Sequence, residues 1–304
     1  MDQCADAIGV CDYRHPYRCC ALFQGGELGL RTLCLSVLVL VALSFPAVAQ
    51  QCTRCHASQC PAPSVRLIWN GEQLSQCVEC HRGNLSTTRK NLAHSGLVQP
   101  RHSWYTYPQG QAVQQGEKLT QKFACRRCHV TGEKGNNLAT SLDSIAPGRS
   151  SVELELSVRE PAVFMPLFPL TDTDLDLILT RILAGGLAAP KEQALISPLV
   201  VYFSHAAAQE DPFSRHCGGC HRMLSHKYGG LGTDVIGPNL SGMGTQFYPP
   251  TGRDNKPWKR DDLRDWVKNP RKIRALATMP PLSIQDEELR QVLDIVWHQS
   301  DEGE

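Results

Sequence analysis

The residues best suited to chemistry in this chain recur in one five-residue pattern, written four times: Cys52-Thr-Arg-Cys55-His56, Cys77-Val-Glu-Cys80-His81, Cys125-Arg-Arg-Cys128-His129 and Cys217-Gly-Gly-Cys220-His221. Positions three and four apart share a face of a helical turn, so each copy gathers two thiols and an imidazole. Two sulfurs so spaced can form thioethers with two vinyl groups on one edge of a porphyrin. The imidazole that follows can ligate iron from the proximal side. Cys-x-x-Cys-His is the attachment pattern of haem c, and four copies imply four covalently bound haems. Structural zinc sites or a disulfide framework are the alternatives, but neither requires a histidine after every second cysteine.

The remaining cysteines fit this reading. The chain has 304 residues and 14 cysteines. Residues 31–49 carry a positive flank (Arg31), an apolar run from Leu33 to Leu43 and a small-x-small site at Ala47-Val48-Ala49. That is the pattern of a secretory signal peptide, cut after Ala49. The alternative is a retained anchor, for which the apolar run is short. Residues 1–30 fit no signal pattern, and a start placed too early, with initiation near Leu28 or Leu30, would explain them. Cys4, Cys11, Cys19, Cys20 and Cys34 precede the cut, eight cysteines belong to the four motifs, and only Cys60 is left over. Export would place the protein in the periplasm or on the outer face of the cytoplasmic membrane, where haem c is attached.

Charge says little about partners. The net formal charge is +1. Without the leader, 28 basic and 26 acidic residues remain, since Arg14, Arg18, Arg31, Asp2, Asp6, Asp12 and Glu27 go with it. Haem propionates would make the holoprotein mildly acidic. Nothing is basic enough to suggest nucleic acid.

Four segments follow the leader. Residues 50–110 hold two motifs in a polar stretch too poor in apolar residues to build a core alone, so two haems would organise it. It contains no methionine, and its spare histidines are His94 and His102, which predicts bis-histidine ligation with the pairing left open. Residues 111–187 begin with a helical run into the third motif, with Ala112, Gly116, Leu119 and Phe123 near one face. They end in a helix with Thr171 as N-cap, Asp174 completing the cap, and Gly185-Gly186 as the stop. Residues 188–210 form a connector. Residues 211–304 repeat the plan: a motif, a Gly-rich loop, a helix at RDDLRDWVKNP, a Met-Pro pair and a closing helix capped at Ser283.

These last two segments resemble class I cytochrome c domains, over about residues 110–187 and 205–299. The resemblance implies a mainly α fold, with a small haem-organised dihaem unit followed by two all-α cytochrome c-like domains. It implies His221 and Met279 as axial ligands of the fourth haem. The carbonyl of Pro238, in Gly237-Pro238-Asn239-Leu240, would accept the other ring N–H of His221. For the third haem His129 and Met165 carry over, with Gly135-Asn136-Asn137-Leu138 standing where Gly-Pro-Asn-Leu is expected. Residues 50–110 resemble the bis-histidine stretches of multihaem cytochromes. Met223 follows His221 too closely to reach the opposite haem face, and Met243 lies in the wrong loop.

Six-coordinate haems exchange electrons without an open site for substrate. Thioether ligation raises potential relative to imidazole, so the order along the chain is expected to be low, low, high, high. The expected function is relay of single electrons between redox partner proteins, among them a membrane quinol-oxidising complex with b-type haem. The alternative is a multihaem peroxidase or oxyanion reductase, which needs one five-coordinate haem, at the position assigned to His102.

Overall fold

The computed structural model describes residues 67–69, 72–74, 77–84, 86–87, 89–189 and 211–297. The leader, the first motif with Cys52, Cys55 and His56, Cys60 and nearly all of the connector lie outside the described residues. The described chain is mainly helical with few strands. Among the described residues no helix is long and apolar enough to cross a membrane.

The described residues divide into two compact units. The first contains an antiparallel hairpin of β1 (Leu67–Trp69) and β2 (Glu72–Leu74), in register Leu67↔Leu74, and a short helix α2 (Lys90–Ala93). The second unit contains Cys80–Gly83 and the chain from His94 onward. Helix α1 (Cys77–His81) is the turn that carries the second motif.

Within the second unit one lobe is built on two helices, α3 (Gln111–Lys122) and α6 (Asp172–Ala188). The buried stripe of α3 is Val113, Gly116 and Thr120, one residue round from part of the expected face. The close approach is at Gly116, where a Cβ would lie 2.1 Å from the carbonyl oxygen of Leu177. Only glycine lets the two helices meet there. Between them lie α4 (Leu142–Ile145) and α5 (Ser151–Arg159). The cap expected for α6 is present: Thr171 accepts from the Asp174 amide, and the Asp174 carboxylate accepts from the Thr171 amide. Ser150 and Glu153 make a second such box on α5, which sequence reasoning missed.

Gly185 and Gly186 do not stop α6, which runs on to Ala188. Both are buried, and a Cβ on them would strike Asp143 Oδ1 at 2.4 Å and Ala146 Cβ at 2.6 Å. They are clearance for the α4 segment, not a terminator. Leu175, Ile178, Leu179, Ile182 and Leu183 fill the core as their spacing predicts, with Val113 and Leu154. Val98 and Tyr105, from the stretch grouped by sequence with the N-terminal haems, lie in this same core.

The second lobe contains α7 (Pro212–His216), a hairpin of β3 (Met223–Ser225) and β4 (Gly229–Leu231), α8 (Arg260–Lys268), α9 (Pro270–Ile273) and α10 (Asp286–Trp297). The hairpin's second strand opens the expected Gly-rich loop, and its first strand precedes that loop. Helix α10 starts three residues after Ser283, with Asp286, Glu287 and Glu288 in its first turn, where carboxylates favour the helix dipole. Leu289, Val292, Leu293 and Val296 form its inner stripe and pack with Phe213, Leu263 and Val267.

One charge network ties the first lobe together. Glu117 on α3 accepts from Arg126 Nη2 at 2.9 Å and from Arg181 Nε on α6 at 2.7 Å. Arg126, buried between Cys125 and Cys128, also donates to the Thr131 carbonyl. The Arg126 hydrogen bonds hold the Glu117 carboxyl down to about 2, against a desolvation cost. A depressed carboxylate contributes stability that is complete above its unfolded value and lost as pH falls through the folded one. Glu117→Gln is expected to lower stability by about 2 kcal/mol at pH 7, the linkage value discounted for partial solvation. The gap to the parent should close between about pH 4.5 and pH 2, measured by thermal unfolding followed by circular dichroism.

Candidate functional site

Each motif histidine described by the structure is held in one way. His221 Nδ1 lies 2.8 Å from the carbonyl oxygen of Pro238, as the resemblance implies. His129 Nδ1 lies 2.7 Å from the carbonyl of Thr140. His81 Nδ1 lies 3.1 Å from the carbonyl of Val98, whose own amide donates to the His81 carbonyl at 2.7 Å. A carbonyl has no proton to give, so in all three rings Nδ1 is the N–H donor. In the neutral ring of that tautomer Nε2 carries the lone pair. A fixed tautomer and ring direction of this kind is what an imidazole ligand to a metal requires.

The partner of His129 corrects the sequence alignment of the loops. Ala139 N donates to Cys128 O as Gly237 N donates to Cys220 O, and Leu142 N donates to Val130 O as Leu240 N donates to Arg222 O. The counterpart of Gly237-Pro238-Asn239-Leu240 is therefore Ala139-Thr140-Ser141-Leu142, not Gly135-Asn136-Asn137-Leu138. Gly135 has a different partner. It matches Gly232, since Asn136 N donates to Arg126 O as Thr233 N does to Gly218 O. Both glycines have positive φ, and a Cβ on either would fall within 2.0 Å of the carbonyl oxygen of the motif histidine. Sequence reasoning missed Thr140 and Val98 because the acceptor is main chain, which leaves no side-chain signature.

Cys125, Cys128, Cys217 and Cys220 form no disulfide. Burial pushes Cys125 up to about 11 and Cys217 up to about 12, and raises Cys128 as well. These sulfurs are protonated at neutral pH. Burial also lowers the pKa of His129, which keeps its ring neutral. Among the described residues no three His, Cys, Asp or Glu side chains are grouped to hold a metal ion. The third and fourth motifs instead each offer two S–H groups and one oriented imidazole nitrogen. That donor set fits a planar group that brings its own equatorial ligands, is bonded covalently at one edge and is ligated axially.

The distal candidates lie in different surroundings. Met165 is half-buried and closes a tight turn, with its amide donating to Ala162 O at 2.8 Å. Met279 packs at the edge of the second core, and Trp266 Nε1 donates to its sulfur at 3.0 Å. His94 is half-buried just after α2, and its carbonyl accepts from Leu97 N. His102 sits on a 3-10 turn, Pro100–Thr106, and is fully buried. Arg101 Nε donates to His102 Nε2 at 3.2 Å, and Asp176 lies 3.7 Å from the same nitrogen. Its Nδ1 has no hydrogen-bond partner. The Nε2 lone pair of His102 is thus occupied where those of the motif histidines are left available. Arg101, Glu155 and Asp176, which hold it there, carried no signal in the sequence.

No protein family, curated protein or solved structure matches this chain.

Gly237 shows how closely the His221 ring is held: a Cβ there would lie 2.2 Å from Cε1 and 2.5 Å from Nδ1 of the ring. Gly237→Ala is expected to break the bond to Pro238, whereas Thr140→Ala, which keeps the carbonyl, should spare that of His129. Side-chain NMR of the histidines checks this: the slowly exchanging Nδ1 proton of His221 should vanish in the first variant, and that of His129 should persist in the second.

Proposed function

We propose that this chain is an exported tetrahaem c-type cytochrome that relays single electrons between redox partner proteins. One observation carries the reading. Three separate Cys-x-x-Cys-His turns each return a backbone carbonyl to Nδ1 of their histidine, 11 to 17 residues downstream. A disulfide scaffold gives no reason to repeat that feature, and among the described residues no three His, Cys, Asp or Glu side chains group to hold zinc. The protonated thiols support it too: a thiol adds across a vinyl group with its sulfur on one carbon and its hydrogen on the other.

In this reading Cys52, Cys55, Cys77, Cys80, Cys125, Cys128, Cys217 and Cys220 hold the four haems. His56, His81, His129 and His221 are proximal ligands. Met165 and Met279 are the distal ligands of the third and fourth haems, and His94 and His102 those of the first two. The lobes around the third and fourth motifs are class I cytochrome c-like domains, preceded by a dihaem unit. The bound haems supply the one-electron chemistry. The chain fixes imidazole direction through Val98, Thr140 and Pro238, excludes water with two apolar cores, and sets potentials by the choice of thioether or imidazole. Electrons would enter at the N-terminal haems from a donor such as a membrane quinol-oxidising cytochrome b complex, and leave from the C-terminal pair. The site of action would be the periplasm or the outer face of the membrane.

A second reading has one observation in its favour. Because Arg101 occupies Nε2 of His102, one N-terminal haem would lack its sixth ligand and could turn over peroxide or an oxyanion. A redox titration followed by EPR separates the two. The relay predicts four low-spin haems in two potential classes, unchanged by cyanide or peroxide. A high-spin haem that binds cyanide would favour the enzyme. Cys125→Ala with Cys128→Ala is expected to remove one haem of four by pyridine haemochrome assay, and a count unchanged by that substitution would defeat both readings.

A further inference from the structure

The turn that carries Met165 is held by the other lobe. Arg222, the residue after His221, donates from Nη1 to the Val163 carbonyl at 2.8 Å. Its Nε donates to Thr233 O, which fixes the guanidinium in place. Asn239 donates from Nδ2 to the Phe164 carbonyl at 2.9 Å. The two carbonyls just before Met165 are therefore both capped by residues of the fourth motif's lobe. The Phe164 ring lies on Gly230, where a Cβ would fall 2.3 Å from it, and is buried in a cluster with Cys128, Leu138 and Leu224.

The third motif meets the same place. Arg127, between Cys125 and Cys128, donates to the Asn239 carbonyl at 3.1 Å and lies 5.8 Å from the ring centre of Tyr248. Asn136 donates to Thr245 Oγ1 at 2.9 Å. Pro238 and Asn239 thus touch three things at once: the imidazole of His221, the third motif at Arg127, and the turn before Met165. Within its own lobe the turn has the Met165 amide bond to Ala162. Two of its carbonyls accept hydrogen bonds from across the interface.

We infer that Arg222 and Asn239 are positioning residues for Met165, so that the lobe of the fourth motif sets how firmly the third haem keeps its distal ligand. This rests on the ligation proposed above. It goes beyond it in making one site's ligation depend on side chains of the other site's lobe. Without both donors the turn would hold Met165 less firmly, although Met165 itself is unchanged.

The test uses the haem-loaded protein in a Met279→His background. There the far-red band of thioether-ligated ferric haem reports on the third haem alone. Imidazole is added as a competing ligand and its midpoint for abolishing that band is recorded. Arg222→Ala with Asn239→Asp is expected to lower the midpoint about tenfold, and each single change about threefold, the factors that one or two ordinary hydrogen bonds supply. Asn239→Asp keeps the oxygen that accepts from Ser241 N, so the loop itself is spared. Arg222→Lys restores a donor for Val163 O and should recover most of the parent midpoint. If the background protein shows no thioether band, Met165 is not a ligand and the ligation reading fails. If the band is present but the midpoint stays within about twofold in the single and double variants, the positioning role fails and the ligation stands. Should the double variant not fold, the single variants decide the outcome.

Discussion

The arrangement depends on a hydrogen bond from a ring N–H to a main-chain oxygen. Each bond requires the chain to leave a Cys-x-x-Cys-His turn, loop out and return a carbonyl at the correct height beside the imidazole. That requirement shapes the loops. Gly135 and Gly232 lie against the histidine carbonyls because no side chain fits there, and both take positive φ. Gly237 lies against the ring of His221 for the same reason. Helices α3, α6 and α10 supply the apolar walls behind these loops, and the contact at Gly116 brings α3 and α6 close enough to form them.

The electrostatics follow from the same geometry. Buried thiols stay protonated, a buried imidazole stays neutral, and the main buried charge near the third motif, Arg126, is answered by Glu117. A cation between the two cysteines would be costly without a partner. Glu117 answers Arg181 too, so the motif, α3 and α6 are joined at one carboxylate. The turn of the third motif is thereby tied to the helix pair that forms the lobe's core.

How much of this could be read beforehand varied with the kind of interaction. The motifs, the Thr171–Asp174 cap and the inner faces of α6 and α10 were legible because they depend on side-chain type at fixed spacing. The return carbonyls at Val98 and Thr140 were not, since any residue presents a carbonyl. Pro238 was found only by resemblance. The glycines of α6 misled because the same residue serves as a terminator and as clearance for a neighbour, and local sequence does not tell the two apart. Strand β4 was hidden in a stretch whose glycines signal a loop. His102 looked like a spare ligand, and only its tertiary neighbours, Arg101 and Asp176, show its ring nitrogen in use. The segment from Val98 to Tyr105 was grouped with the polar N-terminal stretch because its apolar residues are few, yet two of them complete the first lobe's core.

The bonds that join the lobes also differ from the rest in their span along the chain. Arg222 reaches back 59 residues to Val163, Asn239 reaches 75 to Phe164, and Arg127 reaches 112 forward to Asn239. Contacts of such separation carry the largest loop-closure cost and form late in folding. A chain emerging from its N-terminus completes α3 to α6 before the residues that brace the Met165 turn exist outside the exit. The Arg222 and Asn239 bonds to the Met165 turn can therefore form no earlier than the part of the chain that carries them.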